Sequence, residues 1–350
     1  MAFLRPLCRA PARRTLRPVT GAPLRFGILG AARIAPKALV APARELAGVE
    51  VRAVAARDAA RGRVFAARHR IPVVHESYAA LLADPELDAV YNPLPNGLHG
   101  VWTMRALRAG KHVLCEKPFA ANAEEARAVA AVSRETGRVA LEAFHWRHHA
   151  LAERALGIAA SGELGELRHV EARLCAPLLD PRDIRYRLGL AGGAGMDMGC
   201  YALHFVRTFG GAEPRVTAAR AKLLSPGVDR AMEIELVFPS GATGRAICSM
   251  MSRRLLDASA RVEGTRGRMR ILNPWMPQLF HRLRVETERG ARSERSPGPG
   301  SYTCQLRAFV RAVREGAPAP VGLDDAVANM ALIDAAYRAA GLEPRVPTPA

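Results

Sequence analysis

From residue 25 to residue 143, short apolar runs alternate with helical patterns. No other feature of the 350-residue chain restricts its fold so strongly. The runs are 25–30, 49–56, 71–74, 89–95, 111–115 and 139–143, and the helical stretches between them include 101–109 and 123–136. Parallel strands need a crossover to return to the same edge of a sheet, so strand–helix alternation predicts an α/β domain built on a doubly wound parallel sheet. Ligands of such sheets sit at the carboxyl ends of the strands. Asn92-Pro93, His99 and Glu116-Lys117-Pro118 fall at such ends and are candidates for one half of a ligand site.

The pattern changes after residue 145. A helix at 150–160 precedes alternating segments at 166–175, 215–224, 231–238, 243–250, 258–263, 267–271 and 279–287. These predict an open, mostly antiparallel sheet in a C-terminal α+β domain, closed by helices at 302–315 and 324–340. The division expected is a basic extension over 1–24, a nucleotide-binding domain over 25–145, and a substrate and oligomerisation domain over 146–345.

The first strand ends at Gly30, and Ala31-Ala32-Arg33-Ile34-Ala35 then opens a helical pattern, which Pro36 is expected to break. A strand feeding a helix through Gly and small residues brings backbone N–H groups to a pyrophosphate. Gly30, Ala32 and Ala35 occupy the three places of G-x-G-x-x-G/A, with the second glycine absent. The turn Gly30, Ala32, Arg33 and Ile34 is therefore assigned to a dinucleotide, with a plain strand–helix turn as the other reading. At the end of the second strand an NAD site places a carboxylate on the ribose. This chain has Arg57 there, which suits a 2′-phosphate through forked, charge-assisted bonds. Asp58 falls one place later. NADP is preferred as cofactor, with NAD the alternative.

Of the 51 Lys and Arg residues only Lys37, Lys111, Lys117 and Lys222 are lysines. An ammonium, unlike a guanidinium, can have its pKa lowered by burial and neighbours, so Lys117 beside Glu116 is a candidate for proton chemistry. In the second half, Gly192, Gly193 and Gly195 precede Asp197, which is placed as an N-cap or first-turn residue. Asp197 and Tyr201, four apart, share a helix face. Lys117, Asp197 and Tyr201 can then converge as an ammonium, a carboxylate and a phenol. A phenol near a cation has its deprotonated form favoured and can pass a proton to or from an alcohol. The other reading is that Asp197 caps and Tyr201 packs. His204 either helps hold the substrate or is a helix residue with another partner, and His99 either lines the cofactor or caps the helix after it. Trp146 and Arg147, at the junction of the two halves, are assigned to the substrate side. His145, His148 and His149 lack partner ligands at metal spacing, so no metal is expected.

The net charge of +18 raises nucleic acid as a partner. However, the arginines are dispersed among alanines and aromatics are only 5%, too few for a base-stacking platform. No nucleic-acid partner is therefore expected. No apolar run is long enough to cross a membrane. The six cysteines are scattered without a C-x-x-C pair, which predicts free thiols. Arg13-Arg14 is not followed by the apolar stretch an export signal needs, and the chain is read as cytoplasmic.

Taken together, Glu116-Lys117-Pro118, the run Asn92-Pro93-Leu94-Pro95-Asn96-Gly97-Leu98-His99, and Gly192-Gly193 leading to Asp197 and Tyr201 resemble the glucose–fructose oxidoreductase / inositol dehydrogenase (Gfo/Idh/MocA) family. Tyr201 stands where many relatives carry His. With Gly199-Cys200 and the run 142–147, it resembles the branch of D-xylose and dihydrodiol dehydrogenases. The resemblance implies a Rossmann-like N-terminal domain and a C-terminal domain whose open sheet often mediates dimerisation, hence a homodimer or higher oligomer. It implies hydride transfer between the nicotinamide and a hydroxyl-bearing carbon of a sugar or cyclic diol, an aldose giving a lactone. Lys117 and Tyr201 would handle the hydroxyl proton, and Asp197 would orient the substrate or tune the pair. Two features depart from the family: Ala32 replaces a usual Gly, and Ala194-Gly195 inverts the usual order of small residues.

Overall fold

The computed structural model describes residues 22–252 and 256–350. The expected extension therefore lies outside the described residues up to residue 21, and Leu24 already belongs to the first strand. Six strands form one sheet: β1 (Leu24–Leu29), β2 (Val49–Ala55), β3 (Val73–His75), β4 (Ala89–Asn92), β5 (His112–Cys115) and β6 (Ala140–Glu142). Their order is β3-β2-β1-β4-β5-β6, and every pair is parallel. Helices cover both faces, so β4 is buried at all four positions, and Phe26, Ile28 and Leu29 of β1 have no exposed surface. Strand order reverses between β1 and β4, which opens a crevice at their carboxyl ends.

Local chemistry sets the helix limits. The Asp58 side chain accepts from the N–H groups of Ala60 and Arg61 and starts Ala59–His69. Asn122 caps Ala123–Thr136, which ends at Gly137. Pro36 was expected to break the pattern after Gly30. It instead opens the helical segment Pro36–Val40, at a position where the missing N–H has no partner to lose. That segment is wound with five-residue spacing, Ala41 N–H donating to Pro36 O, and continues as Ala41–Glu45.

The second sheet holds β7 (Leu167–Cys175), β8 (Arg215–Ser225), β9 (Val228–Val237), β10 (Thr243–Ser249), β11 (Asp257–Gly264), β12 (Gly267–Leu272), β13 (Arg282–Thr287) and β14 (Gly290–Glu294). The order is β14-β13-β12-β11-β7-β10-β9-β8, antiparallel except for the β7–β10 pair. The edge strand β14, Gly-Ala-Arg-Ser-Glu, carries no apolar alternation, which is why its sequence does not announce it. Helix Cys200–Gly210 is buried along nearly all its length and lies against β7 and β10.

Two C-terminal segments cross back to the first half. Helix Ser301–Glu315 packs on the first sheet, Phe309 meeting Phe26 with ring centroids 5.5 Å apart. Beyond helix Leu323–Ala339, Thr348 N–H donates to Gly97 O at 2.7 Å, and the Thr348 hydroxyl to Gly189 O at 2.6 Å. The tail thus ties the loop after β4 to the loop before Asp197 and fixes the two walls of the cleft.

Candidate active site

Lys117 enters from the end of β5 through a cis Lys117–Pro118 peptide. From the other half, Asp197 stands in the helical turn Gly195–Gly199 that leads into Cys200–Gly210. Its approach depends on two glycines. Gly193 has φ +133°, and a Cβ there would lie 2.1 Å from Asp229 Oδ1; one on Gly192 would lie 2.5 Å from Arg185 O. Asp229 accepts from the Gly195 N–H at 2.6 Å and so anchors the start of the turn.

Lys117 Nζ donates to Asp197 Oδ1 at 2.8 Å and to the Asp197 carbonyl at 2.9 Å. The second carboxylate oxygen of Asp197 lies 3.3 Å from Arg185 Nε. Lys117 Nζ also stands 5.2 Å from the centroid of the Tyr201 ring. The ammonium, carboxylate and phenol expected from the sequence are therefore in one place. Tyr201 packs edge-on to Phe144 and against Trp275, at 5.3 and 5.7 Å between centroids, and its hydroxyl has no hydrogen-bond partner among the described residues.

Two electrostatic expectations are reversed. Burial, the largest single influence, pulls the Lys117 pKa down, but the charge and hydrogen bond of Asp197 together with Cys200 and Glu116 outweigh it, and the ammonium is held above its ordinary value. Burial first, and then the nearby Tyr302 and Glu116, push the Tyr201 phenol well above its ordinary range. Burial thus holds the phenol protonated, while Lys117 stands over the ring and is hydrogen-bonded to Asp197. At Asp197, burial raises the pKa, yet Lys117 and then Arg185 carry it below the usual carboxylate value.

On the other side of the crevice, Gly30 ends β1 with φ +93°, and its N–H donates to Ala55 O. Ala32, Arg33 and Ile34 form the turn that follows, and Arg33 reaches across to Asp183 at 3.2 Å. Arg57 is exposed at the end of β2, near Tyr78, and Arg61 faces the same phenol. One oxygen of the Asp58 carboxylate, Oδ1, is occupied in capping its helix. These residues fit a dinucleotide whose ribose carries a phosphate.

Asn92 and His99 turn inward. Asn92 has no exposed surface; its amide donates to His99 O and Thr103 Oγ1. His99, 1% exposed, begins helix His99–Arg108 with ring nitrogens 2.7 Å from both Pro118 O and Leu94 O, and burial lowers its pKa to about 4. It neither caps that helix nor lines the cleft; it clamps the loop after β4, including the buried Pro93, against Pro118. Glu116 accepts from the Tyr91 hydroxyl at 2.6 Å beneath the crevice.

The substrate-side expectations are corrected in two places. His204 is 1% exposed, stacked on Phe144 at 4.1 Å and bonded to Asp325 at 2.9 Å. Trp146 is equally buried, among Phe205, His204 and Trp275. Arg147 is half-buried near Asp325 and Glu153. Arg185, which the sequence reading passed over, reaches Asp197 from the short 3₁₀ turn Ile184–Tyr186, too short for its pattern to mark it. Among the described residues no cluster of ligands could hold a metal ion, the five cysteines form no disulfide, and no helix is long and apolar enough to cross a membrane.

Residues 24–144 match the family model of the Gfo/Idh/MocA oxidoreductases with an NAD-binding Rossmann fold, and residues 153–270 match the C-terminal domain of the same family. The chain is 40% identical to a D-xylose 1-dehydrogenase (NADP(+)) of Haloferax volcanii, over 90% of this chain and 97% of that one. It is 36% identical to the trans-1,2-dihydrobenzene-1,2-diol dehydrogenase of Sus scrofa, over 65% of this chain and 68% of that one. Its fold superposes on a 3-ketoreductase from Actinomadura kijaniata, crystallised with NADP and TDP-benzene, with a TM-score of 0.85 at 30% identity, covering 91% and 98% of the two chains.

Proposed function

Because the chain belongs to the Gfo/Idh/MocA oxidoreductase family, we propose that it is an NADP-preferring dehydrogenase that oxidises an aldose to its lactone at a hydroxyl-bearing carbon. The observation that carries this reading is the meeting of Lys117 and Tyr201, 5.2 Å from ammonium to ring, at the carboxyl end of a parallel sheet where strand order reverses. NADP over NAD is supported by Arg57 at the ribose position, by the engagement of Asp58 Oδ1 in a helix cap, and by the NADP named for the 40% identical xylose dehydrogenase.

When bound, NADP supplies the nicotinamide that takes or returns the hydride. The residues of the chain manage the proton. The Tyr201 hydroxyl exchanges it with the substrate oxygen. Lys117 stays an ammonium, because Asp197 holds it charged, and it stabilises negative charge on that oxygen as it develops. Arg185 takes the second oxygen of Asp197 and keeps the carboxylate from rotating toward the substrate. Trp275 and Phe144 wall the phenol and limit water around it.

A second reading, oxidation of a cyclic trans-diol, is supported by the dihydrodiol dehydrogenase relative and by the aromatic wall at Tyr201. A panel of aldoses, inositols and trans-diols with NADP and NAD, followed by nicotinamide absorbance, separates the two. Reduction of NADP by an aldose at the highest kcat/KM supports the first reading, and turnover of none of the panel refutes both.

A further inference from the structure

We propose that His145 accepts a hydrogen bond from a second hydroxyl of the substrate, on the carbon next to the reacting one, so that the preferred substrates are vicinal polyols. The inference rests on the polyol-dehydrogenase reading above. The imidazole of His145 lies between two phenols, its centroid 6.1 Å from that of Tyr201 and 4.0 Å from that of Tyr302. His145 Nδ1 stands 2.8 Å from Ser301 Oγ, and that oxygen stands 2.7 Å from Gln278 Oε1. An amide oxygen only accepts, so the single Ser301 proton goes to Gln278. Ser301 Oγ can then only accept from the imidazole, which places the ring proton on Nδ1 and leaves a lone pair on Nε2. Burial lowers the His145 pKa to about 3, so this neutral form persists over the working range of the enzyme.

The lone pair of Nε2 has no partner among the described residues, in a side chain 2% exposed. The other acceptors nearby are engaged. Asp197 faces Lys117 and Arg185 with its two oxygens, and Glu116 Oε1 takes the Tyr91 hydroxyl. Lys117, an ammonium, has no lone pair to offer, and the Tyr201 hydroxyl is directed to the reacting oxygen. His145 adds an unengaged acceptor to this set. A substrate with hydroxyls on adjacent carbons satisfies both, whereas one lacking the second hydroxyl leaves the His145 acceptor without that partner.

The test compares kcat/KM for D-xylose and 2-deoxy-D-xylose, and for cyclohexane-trans-1,2-diol and cyclohexanol, in the wild type and in His145→Phe. The wild type is expected to favour the vicinal member of the better pair by on the order of 10²-fold. In His145→Phe the loss on the vicinal member should exceed the loss on its partner by at least about tenfold. NADPH fluorescence titration reports whether the variant is folded. Independently, ¹⁵N NMR of histidine-labelled wild-type enzyme should show His145 protonated on Nδ1. Undiminished selectivity in His145→Phe, or a proton on Nε2, overturns the inference. Wild-type turnover without preference for the second hydroxyl overturns it alone and leaves the dehydrogenase reading standing. Turnover of none of the four compounds, nor of the wider panel, removes both.

Discussion

The molecule buries two carboxylate–cation pairs on either side of one glycine turn, and they behave differently. Asp197 meets Lys117 at 2.8 Å and Asp229 meets Arg345 at 2.7 Å. The Asp229–Arg345 pair is closed: side-chain exposure is 0% and 2%, and Asp229 also accepts from Gly195 N–H and from the Tyr337 hydroxyl. Arg345 in turn donates to Gly192 O. Both sides of Asp197–Lys117 keep 14% exposure, and an unbonded phenol stands beside them. Burial holds Asp229 above the usual carboxylate range, whereas Lys117 and then Arg185 overcome burial at Asp197 and lower it. The closed pair fixes the Gly192–Gly195 backbone that delivers Asp197; the half-open pair faces the cleft with groups that can act on a ligand. Distance alone does not separate scaffold from site. The number of bonds already satisfied and the surface left open do.

Removing the cation from each pair should therefore give opposite results. Lys117→Met is expected to lower kcat by about 10³- to 10⁴-fold while NADPH titration remains close to wild type. Equal losses of turnover and of NADPH binding would show that the half-open pair is scaffold too. Arg345→Met strands Asp229 and should destabilise the fold by about 3–5 kcal/mol in urea titration, with kcat per folded molecule falling far less than in Lys117→Met. A stable Arg345→Met protein with no turnover would invert the contrast. A smaller effect is expected at the cofactor edge. Arg57→Ser should shift the NADP-to-NAD ratio of kcat/KM toward NAD by about ten- to a hundredfold, and an unchanged ratio would move the phosphate contact to another arginine.

The pH response follows from the same pair of environments. The Tyr201 pKa is raised by burial, so the phenol is protonated at neutrality. Reduction of a carbonyl, which needs the proton present, should be flat from about pH 6 to pH 9. Oxidation, which needs it removed, should rise with pH over that range, and a falling oxidation profile would exclude Tyr201 as the acceptor. For stability the relevant sign is that of Asp197. Its folded pKa is depressed, so its contribution is present above the unfolded value near 4 and is lost as pH falls through the lower folded one.

The sequence showed the strand ends and the convergence of Lys117, Asp197 and Tyr201, because those residues sit in rigid turns whose neighbours, glycine and proline, are readable. It did not show which way isolated side chains face. Asn92 and His99 stand at a strand end and a helix start, yet both turn inward to hold a loop. His204 and Trp146 occupy segments buried on every side, where periodicity carries no direction. Asp229 acts on the site with a partner 116 residues away, Arg185 reaches Asp197 across the intervening glycine turn, and β14 lacks an apolar face. The pKa directions at Lys117 and Tyr201 needed the depth of burial and the identity of the hydrogen-bonded partner, neither of which residue spacing contains.

The central claim is that Lys117 and Tyr201 serve one substrate oxygen together. The most direct measurement is kcat/KM of Lys117→Met, Tyr201→Phe and the double variant on the best polyol. Residues acting as a unit are not additive, so the double variant should fall little below the weaker single one. Losses that multiply across the two substitutions, or a Tyr201→Phe enzyme with wild-type turnover, would contradict the account.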